Sequence, residues 1–335
     1  MKTMDDFLSA QYDACPRKLS VSGFLDGSRD FIRWQSEIRA KLDELLGDFP
    51  RGDEPAVVED KGKVEPFGLG TRRKIVIPTG AGLETPAYIL APDEMNGRTP
   101  LILCLHGHGY GSDDIVGLLP EAGYQKAFAL EVCRQGMIAV SPELAGFGSL
   151  RLQEDILGKK ADESSCHRLS MGLISCGRTM AGLRVHQCRE TLDILETLYP
   201  GHPIGVMGIS GGGMVATMLS VVDERVSACV ISGYASTFKG SILAMFHCVD
   251  NYIPDMMNWF ELEDLLCAIA PRPMLWEAGS RDPIFPRKSV NEAGETVMAC
   301  YNKLKAGNAF RIDAFEGDHE INGAESYAFL KTYCV

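Results

Sequence analysis

One serine of this chain lies in a pattern that is typical of a catalytic nucleophile. Residues 208–212 read G-I-S-G-G, with Ser210 at the centre, between an apolar run at 204–207 and a helix-like run at 211–219. Glycines two residues before and two after the serine let strand and helix approach closely, so the serine occupies a sharp, strained turn. The turn also sets the serine at a helix N-terminus, where developing negative charge is favoured. The pattern predicts nucleophilic catalysis by Ser210, with a chance glycine-rich turn or a nucleotide-binding loop as the alternatives.

The nucleotide-binding alternative fails on the detail of the sequence. The chain has no G-x-x-x-x-G-K-[ST] sequence, and no clean G-x-G-x-x-G follows a first predicted strand. Those spacings are what phosphate-binding loops require.

A general base and an acid are expected after the serine in the chain. Only His247 and His319 follow Ser210 among the histidines. His319 comes just after a predicted strand at 309–314, in a loop at the carboxyl edge of the sheet, from which it can reach the serine. His247 lies in the middle of an insertion, where we expect it to pack or to line a pocket. We therefore predict His319 as the base.

The predicted acid is Asp282. It lies in the loop after the strand predicted at 273–276, and Pro283 and Pro286 stiffen that loop and help to aim a carboxylate. Glu277, at the end of the strand, and Asp318, beside the histidine, are the alternatives.

Acyl transfer also needs N–H donors for an oxyanion. One donor is predicted at the backbone of Gly211, directly after the nucleophile, and the second at the backbone of His108 with Gly107 as its neighbour, in the loop L-H-G-H-G at 105–109. The pair His106 and His108 also suggests a metal site, but the following residues contain no third histidine. We therefore expect no metal.

Strands and helices alternate from about residue 100, which predicts an α/β fold with a mostly parallel central sheet covered by helices on both faces. Two antiparallel strands precede this part. The predicted strands are 74–77, 86–90, 101–105, 137–140, 204–207, 226–231, 273–276 and 309–314, and the predicted helices are 30–46, 124–134, 177–199, 211–219, 289–304 and 324–332.

The chain is predicted to consist of an N-terminal helical extension at 1–60 and a catalytic domain at 61–335. The helix at 30–46 is amphipathic, with apolar residues at helical spacing. Two segments interrupt the alternation, a polar one at 143–176 and one at 235–270 that is rich in aromatic residues and methionine, and the second is interpreted as a lid or pocket wall. The residues expected to contact substrate are Gly107, Phe238, His247 and Phe285.

The composition excludes some classes of binding partner and indicates the cellular compartment. The 335 residues include 33 Lys and Arg against 45 Asp and Glu, a net charge of −12, so neither nucleic acid nor an anionic membrane is an expected partner. The eleven cysteines contain no C-x-x-C sequence, and the first residues contain acids where a signal peptide would be apolar. We therefore expect a cytoplasmic protein with reduced thiols.

Together with Ser210, Asp282 and His319, several local strings resemble the α/β-hydrolase superfamily, and more narrowly the acetyl xylan esterases and dienelactone-hydrolase-like esterases. These strings are residues 105–109, 177–179, 208–213, 270–273, 279–286 and 317–320. The resemblance covers about residues 70–335. It implies the α/β-hydrolase fold and serine-esterase chemistry on short acyl esters of a small molecule or sugar, without a cofactor. Related esterases often self-associate, so a homo-oligomer is a further expectation.

The chain departs from these families in two respects, and two other functions remain as alternatives. Dienelactone hydrolases proper use a cysteine where this chain has Ser210, and secreted xylan-degrading members carry a signal peptide, so a small ester is favoured over polymeric xylan. A peptidase or amidase of the prolyl-oligopeptidase type shares the order of the three residues. A non-catalytic α/β-hydrolase scaffold would be expected to lack one of them. Thioesterase and carbon–carbon hydrolase activities use the same triad.

Overall fold

A ten-stranded sheet forms the centre of the computed structural model, which describes residues 3–52, 59–60, 65–121 and 123–335. Its strand order is β1-β3-β4-β6-β5-β7-β8-β9-β10, with β2 pairing to β3. The strands are β1 (Glu59–Asp60), β2 (Glu65–Pro66), β3 (Gly70–Pro78), β4 (Glu84–Pro92), β5 (Leu101–Leu105), β6 (Ile138–Pro142), β7 (Ile204–Ile209), β8 (Val226–Ser232), β9 (Met274–Gly279) and β10 (Phe310–Phe315).

The helices cover both faces of this sheet. They are α1 (Met4–Asp13), α2 (Ser22–Leu25), α3 (Phe31–Leu46), α4 (Ser112–Ile115), α5 (Phe128–Arg134), α6 (Gln153–Gly158), α7 (Cys166–Ser175), α8 (Met180–Leu198), α9 (Gly211–Val222), α10 (Leu262–Cys267), α11 (Arg287–Lys303) and α12 (Ser326–Tyr333). Single turns of 3-10 helix lie at Gly148–Leu150, Val249–Asn251, Met256–Asn258 and Gly307–Ala309.

The central strands are buried on both faces, which explains their continuous apolar sequences. Every residue of β5 is buried, and its side chains alternate between two hydrophobic clusters. Leu101, Leu103 and Leu105 belong to the cluster under α8, α9 and α11, whereas Ile102 and Cys104 belong to the one under α5 and α12. The prediction of a mostly parallel sheet is confirmed, because β5 to β10 pair in parallel and only the β3 and β4 side is antiparallel.

The long predicted elements are found with small changes at their ends. Strand β5 has the predicted bounds, and α3 begins one residue later than predicted because Asp30 is its N-cap and accepts a hydrogen bond from Arg33 N–H. Helix α5 begins later than the predicted helix at 124–134, since Lys126 and Ala127 have positive φ angles of 49° and 48°. Such angles are not helical and end the regular turn there.

The segments without a clear pattern contain more structure than the sequence indicated. The polar stretch at 143–176 holds α6 and α7, and the first 25 residues hold α1 and α2. The predicted domain boundary at residues 60 and 61 borders two stretches, 53–58 and 61–64, that lie outside the described residues. Within the described part of the chain, no helix is long and apolar enough to cross a membrane.

Helix α3 packs its apolar face onto the main body. Phe31, Trp34, Ile38 and Leu42 are buried in the same cluster as α8 and α9. The indole of Trp34 is fully buried, and its Nε1–H donates to the Leu19 carbonyl over 2.9 Å. The N-terminal segment is therefore attached through a filled core and a satisfied hydrogen bond.

We expect Trp34→Ala to lower the free energy of unfolding by about 3–5 kcal/mol, because it leaves a cavity and an unpaired carbonyl. Urea unfolding followed by circular dichroism measures this change. Ile32→Ala is the matched control on the opposite face of the helix, where Ile32 is 68% exposed, and it should change little. Equal effects of the two substitutions would contradict the packing described.

Candidate active site

Ser210 occupies a strained turn between β7 and α9. Its φ and ψ are 56° and −121°, outside the regions that non-glycine residues usually adopt. A Cβ on Gly208 would lie 2.2 Å from the Gly212 carbonyl oxygen, and a Cβ on Gly212 would lie 2.0 Å from the Leu105 carbonyl oxygen. Only glycine fits at either position, so the predicted reason for the spacing of this motif holds in the structure.

His319 and Asp282 lie together, as predicted, in loops after β10 and β9. His319 Nδ1 is 2.7 Å from Asp282 Oδ2. The other carboxylate oxygen, Asp282 Oδ1, accepts N–H bonds from Ile284 at 2.9 Å and Phe285 at 3.0 Å. The carboxylate is thus held from both sides. His319 Nε2 is buried and has no hydrogen-bond partner among the described residues, which leaves it available to a substrate or nucleophile proton.

Two aromatic rings fix the plane of the base. The His319 imidazole stacks against Tyr124, with centroids 5.5 Å apart, and against Phe285, with centroids 5.7 Å apart. Gly233, with φ at +52°, leaves room for the imidazole, since a Cβ there would lie 2.8 Å from His319 Cε1. The Tyr124 hydroxyl also donates to the His108 carbonyl over 2.8 Å. Tyr124 carries no sequence signal of this role, because it precedes α5 in an irregular turn.

The two alternative acids have other roles. Glu277 is buried and accepts hydrogen bonds from Gly323 N–H at 2.7 Å and Asn322 N–H at 3.2 Å, which anchors the chain that follows His319. Burial raises its pKa. Asp318 lies on the surface and pairs with Arg281 over 3.0 Å. Of the three predicted acids, Asp282 is the one that contacts the base.

The loop after β5 lies directly against the nucleophile. A Cβ on Gly107 would come within 3.0 Å of Ser210 Cβ, and the Gly107 N–H already donates to Gln125 Oε1 over 2.6 Å. That bond removes Gly107 as an oxyanion donor and favours the next N–H, that of His108. The His108 ring lies over Gly211, whose added Cβ would be 3.2 Å from His108 Nδ1.

Ser210 and His319 line a cavity of about 310 Å³. It is also bounded by His108, Gly211 and side chains of the 235–270 insertion. The lining residues are His108, Tyr124, Ser210, Gly211, Tyr234, Phe246, His247, Cys248, Asn251, Ile284, Phe285 and His319. Burial lowers the pKa of His247. A larger groove of about 1140 Å³ runs between α3 and α8, but its lining contains none of the three predicted catalytic residues.

Of the four residues expected to contact substrate, two line the cavity, one lies behind it and one is in the core. His247 and Phe285 line the cavity, and Gly107 lies behind it, against Ser210. The expectation for Phe238 is corrected, because its ring is buried with 2% exposure in the hydrophobic core and is absent from the cavity lining. The backbone at Phe238 is also anchored in the interior, since the Phe238 N–H donates to the buried carboxylate of Glu261.

The comparisons with known proteins agree on the fold. Residues 25–297 match the family described as "Abhydrolase family". The protein named "Putative hydrolase YtaP" from Bacillus subtilis (strain 168) is 25% identical over 288 residues, which cover 83% of this chain and 91% of that protein.

Solved esterase structures have the same architecture at low identity. The crystal structure described as "a putative acetyl xylan esterase" from Bacteroides fragilis NCTC 9343 has a TM-score of 0.76 at 16% identity, covering 100% of this chain and 90% of the other. Acetyl Xylan Esterase 1 from Thermoanaerobacterium sp. JW/SL YS485 has a TM-score of 0.59 at 17% identity, covering 90% and 94%. A glucuronoyl esterase from Solibacter usitatus has a TM-score of 0.59 at 14% identity, covering 90% and 93%. At these identities the likeness concerns the fold.

Gly233→Ala should displace the His319 imidazole and lower kcat by about 10²-fold, as expected for a misplacement near 1 Å, while the protein stays folded. Initial rates and a thermal melt measure the two properties. Gly172→Ala is the matched control, because a Cβ on Gly172 meets no atom within 4 Å, and it should leave the rate unchanged. A fully active Gly233→Ala protein would mean that the base is not held as described.

Proposed function

The chain belongs to the Abhydrolase family, and on this premise we propose that it is a serine hydrolase that cleaves short-chain, acetyl-type carboxylic esters of a small molecule or sugar. The observation that carries the proposal is the Asp282–His319 pair, which leaves His319 Nε2 buried and unpartnered at the cavity that Ser210 lines. Esterases among the solved structures with this fold support the choice of ester over other acyl compounds.

In the proposed mechanism, Ser210 Oγ attacks the ester carbonyl while His319 Nε2 takes its proton. Asp282 keeps the imidazole in the tautomer that carries its proton on Nδ1, and it stabilises the imidazolium that forms. His319 then protonates the leaving alcohol. Water repeats the two steps on the acyl-enzyme and releases the acid.

The oxyanion of each tetrahedral intermediate would accept hydrogen bonds from the N–H groups of Gly211 and His108. The 2.9 Å contact between His106 Nδ1 and the Gly107 carbonyl oxygen supports this assignment, because that carbonyl lies in the same peptide as the His108 N–H and fixes its orientation before substrate binds. Gly211 is the first residue of α9, so its N–H also carries the positive end of the helix dipole.

The size and chemistry of the cavity support a short acyl group. Its volume of about 310 Å³ is at the lower end of ligand sites, and aromatic side chains form much of its wall. Phe246, which is 94% exposed at this cavity, would contact the alcohol part of a larger ester. All eleven cysteines are free thiols, which supports the further proposal of a reducing, cytoplasmic location.

Ser210→Ala should lower turnover of p-nitrophenyl acetate by at least about 10⁴-fold, because it removes the nucleophile. Initial rates on acetate, butyrate and octanoate esters measure both the loss and the acyl preference, and acetate should be cleaved fastest. Ser175→Ala, at the exposed end of α7, is the control and should keep the wild-type rate. A Ser210→Ala protein with wild-type turnover would contradict the assignment.

Labelling with a fluorophosphonate and a panel of amide substrates separate the remaining functions. Labelling of Ser210 together with ester cleavage supports the proposal. Labelling with faster cleavage of amides would favour a peptidase or amidase. An unlabelled, inactive protein would favour a non-catalytic scaffold.

A further inference from the structure

A second cluster of reactive side chains lies beside the cavity. His108, Cys166, Cys248 and Asp250 each offer one ligand atom, and these four atoms all lie within 4.8 Å of one another. They come from three separate parts of the chain: the loop after β5, the first residue of α7, and the insertion between β8 and β9. The mechanism proposed above uses none of these side chains.

We propose that these four residues bind a Zn²⁺ ion that joins the loop after β5 to the segments 143–176 and 235–270. A histidine nitrogen, two sulfurs and a carboxylate oxygen form a donor set suited to zinc, which takes four such ligands tetrahedrally. With Zn–S near about 2.3 Å and Zn–N near about 2.0 Å, neighbouring ligand atoms would be roughly 3.5 Å apart. The observed cluster therefore requires only small side-chain movements.

The geometry between His108 and Asp250 supports a shared ligand over a direct hydrogen bond. His108 Nε2 and Asp250 Oδ2 are 3.2 Å apart. Nε2 is buried and makes no hydrogen bond within the described part of the chain. A cation bound by both atoms would satisfy this nitrogen.

Arg184 supplies the charge that such a site needs. Its guanidinium is fully buried and donates twice to the Ala145 carbonyl, at 3.1 Å and 3.0 Å, once to Asp250 at 2.7 Å and once to Cys166 Sγ at 3.0 Å. Zn²⁺ and Arg184 carry three positive charges, which balance two thiolates and one carboxylate. The ion and the groups around it would therefore be neutral together, which suits a buried site.

Binding of the ion releases protons. Zinc takes its sulfur ligands as thiolates and its histidine ligand as a neutral imidazole, so each proton that these ligand atoms carry without metal passes to solvent when Zn²⁺ enters.

The metal site would affect catalysis only by positioning His108. His108 supplies a proposed oxyanion N–H, and its side chain would be fixed by the metal to α7 and to the segment around Asp250. This effect on turnover rests on the proposed function, whereas metal binding does not. Ser210→Ala should bind zinc as the wild type does, so a failure of either proposal can be recognised separately.

The test uses the full chain, reduced and stripped of metal with a chelator, and titrated with Co²⁺ and then Zn²⁺. We expect one equivalent of Co²⁺ to give a thiolate-to-metal charge-transfer band and tetrahedral visible bands, both removed by Zn²⁺. Cys166→Ser with Cys248→Ser should lose these bands. Cys176→Ser, an exposed thiol ten residues after Cys166, should keep them.

Asp250→Asn is a second variant, which keeps both thiols and should lower zinc affinity at least about 10-fold. Absence of a thiolate band in the reduced wild type would overturn the proposal, and so would unchanged metal binding in the double cysteine variant. A Cys166–Cys248 disulfide found by non-reducing mass spectrometry in a protein that binds no metal when reduced would identify a redox pair instead.

Discussion

The rest of the site depends on one close approach of two backbones, the contact between the start of α9 and the end of β5. Gly212 lies so near the Leu105 carbonyl that no side chain fits between them. Because β5 and β7 are adjacent parallel strands, this contact brings the loop after β5 over the first N–H of α9. Ser210 and the backbone N–H groups of Gly211 and His108 therefore take their positions from one pair of strands. The cost is the strained backbone of Ser210, which the surrounding packing sustains.

Around this contact, buried polar side chains hold the irregular loops. Asp114 accepts from Gln125, whose amide oxygen accepts from Gly107 N–H, and Glu143 accepts from both the backbone and the hydroxyl of Ser112. Loops without regular backbone pairing need such partners, because an unpaired buried N–H is costly. The structure thus fixes the loop after β5 from beneath, through side chains that do not line the cavity.

The sequence was most informative where local pattern and chain order act together. The G-x-S-x-G turn, the apolar strands and the order of serine, acid and histidine were sufficient to select Ser210, Asp282 and His319, which the structure brings to neighbouring loops. It was least informative where contacts join distant segments. The expectation that Phe238 contacts substrate was wrong, because apolar content alone does not distinguish a lid from core packing. Cys166 and Asp250, two residues of the proposed zinc site, carry no local signal, and the expectation of no metal stays a prediction. Helices α6 and α7 are only six and ten residues long, which is too short for a helical period to be established from sequence alone.

The two rings that hold His319 have a consequence for the entropy of each reaction cycle. A histidine on a surface loop populates several rotamers, and ordering such a side chain at every turnover would add to the activation barrier. Tyr124 and Phe285 restrict the imidazole to one orientation before any substrate arrives. The loss of rotational freedom therefore occurs once, when the chain folds. In the proposed mechanism, His319 is therefore already ordered when the reaction begins, and the reacting groups need little further reorganisation.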